Sequence, residues 1–352
     1  MTRSATVSNA SPAASYTGLP MTPLRYSMSS TFPPPRTLSC TGPDGAGARQ
    51  RPRPVRIVAC SMPRLSPFTM AALRAACTAG EIHRASFGKG ARVDYKGRND
   101  PVTEADRAAE AAIVRTIRAA YPDHGFLGEE GGRQGEGPYT WLVDPLDGTF
   151  NYASAIPWFA SSIALEHGGR LVVGVVMHTM LGEVYVAEAG RGAFAAALRD
   201  LPAQLSAWDD LSLWRRLWVR NTPRLDQATL STGFPGNVAD TRLNLDHFTN
   251  LLLGAAKIRA MGSAALSLAA IALGQMDGYW ELGPSAWDFA AGALLVEEAG
   301  GRVTDFRGRP LDLYALQILA TNGPIHDEVV AVLARGRSGL DLGGDLARGG
   351  EL

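Results

Sequence analysis

The residues best suited to chemistry are acidic and come in four groups. "WLVDPLDGTFNY" (141–152) places Asp144 and Asp147 at the end of an apolar run, "FLGEE" supplies Glu129 and Glu130, "TEADR" supplies Asp106, and "AWDFAAG" supplies Asp288. Each has an ordinary account. Asp106 can cap a helix together with Thr103, Asp288 suits the positive end of a helix, and Asp147-Gly148 is a common turn pair. Glu129-Glu130 before two glycines can be a solvated turn, and Asp144 a strand-end cap. Taken jointly they ask for more, because burying several carboxylates without counter-charge is costly. The candidate basic partner, Lys96, stands against at least four acids. Hard oxygen donors in a chain with six histidines point to Mg²⁺ rather than zinc. The Asp144/Asp147 spacing lets one strand-end loop serve two ions, with the Leu146 backbone carbonyl adding an oxygen.

The rest of that loop suits phosphate. Gly148 allows close backbone approach, Thr149 brings a hydroxyl, and a helix starting there would offer free N–H groups to a dianion. Phosphate monoesters hydrolyse so slowly unaided that enhancements of up to about 10²¹ are needed. Two ions about 3.5–4 Å apart can stabilise the attacking and leaving oxygens and acidify a water.

These groups must be carried by regular elements. Apolar spacing predicts a helix over "SPFTMAALRAACTAGEIHRASF". A second follows in "DPVTEADRAAEAAIVRTIRAAYP", with Thr103 as N-cap, Asp106 three residues on and Pro122 past its end. "TWLVD" reads as a short buried strand. "SSIALEHGGRLVVGVVMHTMLGEVYVAEAGRGAF" alternates and turns at Gly168-Gly169 and near Leu181-Gly182, the pattern of an antiparallel meander. "GSAALSLAAIALGQMDGYWE" is an apolar helix running into a strand, "AWDFAAGALLVEEAGG" a helix ended by glycines, and "ILATNGPIHDEVVAVLARG" a strand and a last helix. The order predicts a layered mixed α/β fold.

Bulk properties narrow the class. The chain has 352 residues, 46% hydrophobic, with 34 basic and 34 acidic side chains. It lacks the overall basic excess of a nucleic-acid binder. Cys40, Cys60 and Cys77 have neither zinc nor disulfide-framework spacing. The apolar stretch from Ala260 to Met276 is short for a membrane span and reads as a buried helix, so a soluble protein is expected. Residues 1–65 hold ten of the 22 prolines and lack helical or strand periodicity. They are expected to be disordered, and three readings stand: an organelle transit peptide, a regulatory tail, or translated upstream sequence with the start at Met62 or Met70. The folded domain is expected over 66–335 and a flexible Gly-rich tail over 336–352.

With "DPVTEAD", "GEE", "DPLDGTFNY", "GSAAL", "DGYWE", "WDFAAG" and "EEAGGRVTDFRG" in this order, the chain resembles the inositol monophosphatase family, within the lithium-sensitive Mg²⁺-dependent phosphatases, and more its bacterial branch. The resemblance implies an α/β/α/β/α five-layer sandwich, usually a homodimer, and a cytoplasmic enzyme unless the leader targets an organelle. It implies two to three Mg²⁺ per site. Glu129, Asp144 and the Leu146 carbonyl would hold the first ion, and Asp144, Asp147 and Asp288 the second. Glu129 would help hold a weaker third. Thr149 with Asp106 would orient and deprotonate the attacking water, which attacks in line without a phosphoenzyme. The Gly148 and Thr149 backbone would hold the phosphate. Asp147, Gly262, Ala264 and Glu281 would meet substrate hydroxyls. Lys96 and Asp100 fall where the family has a mobile loop.

Two departures stand out. Phe150 replaces the second Thr of the family's loop, and Ser267 stands where bacterial relatives usually carry Asp, leaving a partner such as Arg259 unpaired or repositioned. The stretch 198–225, with Trp208, Trp214 and Trp218, matches poorly and reads as a divergent helix and loop over the core, or as a partner surface. The expected reaction is hydrolysis of a small phosphate monoester, an inositol monophosphate or a related polyol or sugar phosphate. Histidinol phosphate, fructose bisphosphate and adenosine 3′,5′-bisphosphate are rival substrates. Two non-catalytic readings remain: a binding module acting with transcription machinery, and a fold that binds phosphate-bearing ligands without hydrolysing them.

Overall fold

The computed structural model describes residues 64–89, 93–97 and 100–336. Most of the expected leader, the tail from residue 337, Cys40 and Cys60 lie outside the described residues. Arg64 and Leu65, assigned to the leader from sequence, are instead part of the fold. Leu65 is buried and its N–H bonds to Asp209 O at 2.8 Å, because its side chain joins the core under the first helix.

In chain order the elements are α1 (Pro67–Ser86), β1 (Val93–Gly97), β2 (Asp100–Thr103), α2 (Glu104–Ala120), β3 (Gly125–Gly128), β4 (Gly132–Gln134), β5 (Tyr139–Asp147) and α3 (Thr149–Ala153). The meander β6 (Ala160–His167), β7 (Arg170–His178), β8 (Glu183–Glu188) and β9 (Gly192–Ala197) comes next, then β10 (Arg215–Arg216) and β11 (Thr229–Thr232). The last third holds α4 (Val238–Thr241), α5 (Leu245–Gly254), β12 (Lys257–Arg259), α6 (Ala264–Ala272), β13 (Gly278–Leu282), α7 (Ala286–Glu298), β14 (Arg302–Thr304), β15 (Gln317–Thr321) and α8 (His326–Leu333).

Two sheets organise the chain. The larger runs β10-β9-β8-β7-β6-β5-β3-β4 and is antiparallel except for the β3–β5 pair; the smaller runs β12-β11-β13-β15-β14. Strand alternation divides the larger sheet's side chains between two cores. Trp141, Val143, Ile163 and Leu165 pack under α1 and α2, whereas Leu142, Ala160 and Ala164 pack against α6 and α7. Helices α6 and α7 also touch the smaller sheet, whose far face, with Leu230, Trp280 and Leu319, is covered by α5 and α8. The layers are therefore α/β/α/β/α, as expected.

Position in the sandwich explains composition. A helix enclosed by two sheets has no face for solvent, and every residue of α6 is buried. The middle layer is close-packed: a side chain at Gly174 would bring its Cβ to 2.7 Å from Ala291 O, and one at Gly292 to 2.5 Å from the Leu268 Cβ. Among the described residues, no helix is long and apolar enough to cross a membrane.

The stretch 198–225 departs from its expected helix. It forms short 3₁₀ turns and the two-residue β10. Trp208 and Trp214 are buried in the core beside α1, their ring N–H groups bonded to Pro202 O at 2.7 Å and Trp208 O at 2.9 Å. Trp218 is exposed and stacks on the Arg216 guanidinium. The covering role holds for two of the three tryptophans.

Candidate active site

The site is built on a break in β5. In an unbroken strand Asp144 and Asp147, three residues apart, would point to opposite faces. The pairing to β6 shifts here: Asp144 faces Ser162 and Asp147 faces Ala160, so two residues of β5 oppose one of β6. This bulge restores parity. Ala160 lies on the α6/α7 face, and so both carboxylates turn toward the middle helical layer. Both are buried.

Asp144 Oδ1 accepts the Leu146 N–H at 2.9 Å across the bulge. Asp147 meets the start of α6, accepting the N–H groups of Ala264 at 3.1 Å and Ala265 at 2.8 Å, and the Ser263 hydroxyl. Asp288 enters from the start of α7, with Oδ2 accepting the Ser285 N–H at 2.7 Å. Glu129 sits where β3 runs parallel beside β5, its N–H on Val143 O at 3.1 Å.

Electrostatics couple these groups. Burial, then Glu129, Asp147 and Asp288, push the Asp144 carboxyl well above its ordinary range. Burial, then Glu129, Asp147 and Glu281, do the same for Asp288. Asp147 rises to about 6 through burial, opposed by its bonds to Ser263 and the α6 amides. Every neighbouring charge named here is negative. Among the described residues no three carboxylate, imidazole or thiol side chains already close around one point. This agrees with the geometry, because Asp147 and Asp288 each bond to a helix start. The donor set is nonetheless hard oxygen and self-repelling, buried at Asp144 and Asp147 and half-buried at Glu129 and Asp288, which fits Mg²⁺.

Thr149 begins α3. Its hydroxyl lies 3.0 Å from Asp106 Oδ1 and 3.1 Å from Leu146 O. Asp106 is fully buried at the third position of α2, where its Oδ2 accepts the Thr103 N–H at 2.9 Å. Burial, partly offset by its hydrogen bonds, raises the Asp106 pKa. Gly148 has φ 99°, and a side chain there would bring its Cβ to 3.0 Å from Gly262 O. Both facts require glycine. Asn151, which sequence reasoning passed over, ties α3 to Gly262: its side-chain N–H₂ reaches Trp158 O at 2.8 Å and Met261 O at 2.9 Å.

Glu281 lies on β13 and accepts the Tyr279 hydroxyl. Burial carries it to about 7, against that hydrogen bond and with help from Asp147. Gly262 and Ala264 stand at the α6 start beside Asp147. Lys96 and Asp100 fall in the β1–β2 hairpin. Phe150 is 49% exposed. Ser267 is buried, donates to Ser263 O at 2.7 Å and pairs with the Ser231 hydroxyl, so a neutral bond replaces the expected acid. Arg259 is exposed, with its guanidinium on Ile258 O. A cavity of about 620 Å³ runs along the outer side of α2 to the β3–β4 turn, lined by Arg107, Glu110, Arg118, Glu130, Gly131 and Gln134 among others.

Residues 64–337 match the inositol monophosphatase family. The chain is 44% identical over 269 residues to "Nus factor SuhB" of Pseudomonas aeruginosa, spanning 73% of this chain and 92% of that one. It is 40% identical over 270 residues to "Inositol-1-monophosphatase" of Synechocystis sp., spanning 75% and 87%. The solved inositol monophosphatase of Anabaena (Nostoc) sp. superposes with a TM-score of 0.66 at 36% identity, covering 76% of this chain and 96% of that one. A bulged acidic strand end, a Thr–Asp pair and a sandwich of this layering thus coincide with a match over most of the described chain, and the protein belongs to the inositol monophosphatase family, a family of phosphatases.

Proposed function

We propose that the protein hydrolyses a small phosphate monoester, an inositol monophosphate or a related polyol or sugar phosphate, with Mg²⁺. The observation that carries this reading is the convergence of mutually repelling carboxylates, Asp144 and Asp147 buried on β5 and Glu129 and Asp288 half-buried at the β3–β4 turn and the α7 start, beside the Thr149–Asp106 hydrogen bond. Glu129, Asp144 and the Leu146 carbonyl would hold one ion, Asp144, Asp147 and Asp288 a second, and Glu129 a weaker third. When bound, Mg²⁺ supplies positive charge against phosphate oxygens and acidifies water.

The chain's own part is positional and basic. Thr149 gives its proton to Asp106, leaving its oxygen lone pairs to accept one from water. The raised pKa of Asp106 makes it the better proton acceptor at the end of that relay. The backbone of Gly148 and Thr149 would hold the phosphate. Asp147, Gly262, Ala264 and Glu281 would meet substrate hydroxyls, and Lys96 and Asp100 lie on a hairpin that would close over the ions. We place the enzyme in the cytoplasm as a homodimer. Histidinol phosphate, fructose bisphosphate and adenosine 3′,5′-bisphosphate are the rival substrates in the same class.

The test is phosphate release from inositol 1-phosphate and these rivals, with and without Mg²⁺. Asp144→Asn is expected to abolish release while the protein stays folded; an Asp144→Asn protein as active as the parent would sink the metal assignment. The relative named Nus factor SuhB favours a second reading, a binding module acting with transcription machinery. Partner capture unchanged by Asp288→Ala, in a parent protein without turnover, would favour it over the first.

A further inference from the structure

We infer that Glu110 is a positioning residue that fixes the turn presenting Glu129, and that α2 thereby braces the site at two points; the inference rests on the proposed function. Asp106 and Glu110 are four residues apart on α2 and share one face. Asp106 reaches Thr149, as described. Glu110, 4% exposed, reaches the β3–β4 turn: its Oε2 accepts the Glu130 N–H at 2.8 Å and its Oε1 the Gly131 N–H at 2.7 Å. The N–H of Glu129 itself is on Val143 O. Three consecutive amides, at 129, 130 and 131, are therefore held, the first by β5 and the next two by one carboxylate of α2.

The flanking glycines make room for this carboxylate. A side chain at Gly128 or at Gly131 would bring its Cβ to 2.6 Å from Glu110. A buried carboxylate is costly unless hydrogen bonds answer it, and two amides in parallel answer both oxygens here. Core packing alone would be served by an apolar residue at the same position. What the acid adds is a fixed path for the backbone on either side of Glu129, whose charge is felt at both Asp144 and Asp288. Residues that orient ligands in this manner typically change metal affinity by about 10–100-fold when altered.

Glu110→Gln keeps the shape, retains one acceptor oxygen and turns an N–H₂ toward an amide N–H. In the full chain we expect amide exchange at Glu130 and Gly131 to quicken at least about tenfold, with exchange at Thr103, held by Asp106, unchanged. Direct Mn²⁺ binding, followed by electron paramagnetic resonance without substrate, should weaken about tenfold or more, while KM for the phosphate ester at saturating Mg²⁺ moves less than about threefold. Unchanged exchange and Mn²⁺ affinity in folded Glu110→Gln would overturn the inference. Should Glu110→Gln fail to fold, Glu110→Asp, one methylene short of the turn, is read the same way. A parent protein that binds Mn²⁺ but releases no phosphate from any ester would count against the proposed function and leave the exchange result to decide on Glu110.

Discussion

Helices α2 and α7 begin alike. Each has a hydroxyl residue at the N-cap, Thr103 or Ser285, and an aspartate at the third position, Asp106 or Asp288, that accepts the N-cap N–H at 2.9 Å and 2.7 Å. The motif leaves one carboxylate oxygen over, and what meets that oxygen separates the two. In Asp106 it receives the Thr149 hydroxyl, and burial is the main reason its pKa rises. In Asp288 it has no hydrogen bond among the described residues, and the carboxyl is perturbed by burial and then by Glu129, Asp147 and Glu281. On the proposed function, one local motif thus yields a proton acceptor in one place and a cation ligand in another. Tertiary surroundings, not the cap, assign the work.

The largest test of that distinction is Asp288→Asn. Asparagine keeps the cap acceptor and removes the charge, so the helix should hold while phosphate release falls on the order of 10³-fold. Mn²⁺ binding to the substrate-free protein should fall with it. Retained affinity would erase the difference between the two aspartates. Asp106→Asn should lower kcat about 10²-fold, within the range of a lost proton acceptor. Its Mn²⁺ affinity should stay within about twofold of the parent, and a drop as large as that of Asp288→Asn would show both residues to be ligands.

The smallest effect is on pH and stability without metal. The Glu281 carboxyl stands at about 7 in the fold against an ordinary 4.5, and those of Asp144 and Asp288 are also raised. The folded state keeps protons that the unfolded chain releases, so this contribution is full at low pH and is lost as pH rises through the folded values. His83, His178 and His326, pushed by burial from 6.5 to about 3, about 4 and about 4, act oppositely, as do His124 and His247, which burial also lowers; their contribution is lost as pH falls from 6.5 through the folded values. The histidines are common to the parent and to Asp288→Asn, so comparing the two isolates the carboxylate. Lowering the pH from 7.5 to 6.5 should raise the melting temperature of the metal-free parent relative to that of Asp288→Asn by about 2–4 °C, the shift that about 1 kcal/mol produces in a domain of this size. Calorimetry in metal-depleted buffer measures it. An equal pH response in the two proteins would show that the Asp288 carboxyl is not raised as described.

Much of this was legible in the sequence. Caps, turns and the meander follow from local chemistry, and the acidic loop is conspicuous because two aspartates end a strand of Trp, Leu and Val. The enclosed middle layer was half legible: an apolar α6 says buried, but not that sheets lie on both sides of it. Glu110 was not singled out, since an acid on a helix otherwise read as amphipathic looks like a solvated face. The signal was its spacing of four from Asp106, opposite a turn flanked by glycines. The parity of Asp144 and Asp147 was also hidden, because a bulge is a matter of pairing with β6 and leaves no mark in β5 alone.

That bulge makes the site depend on counting as much as on composition. Exchanging Pro145 or Leu146 for another residue alters side chains but keeps the phase of the strand. Losing or gaining one position between Asp144 and Asp147 would keep every acidic residue in the chain, yet turn part of the set toward the α1/α2 core. The pairing with β6 thus fixes how many residues separate the two aspartates, a constraint separate from the one that the core sets on Leu146, which is buried beside Tyr152 and Phe159.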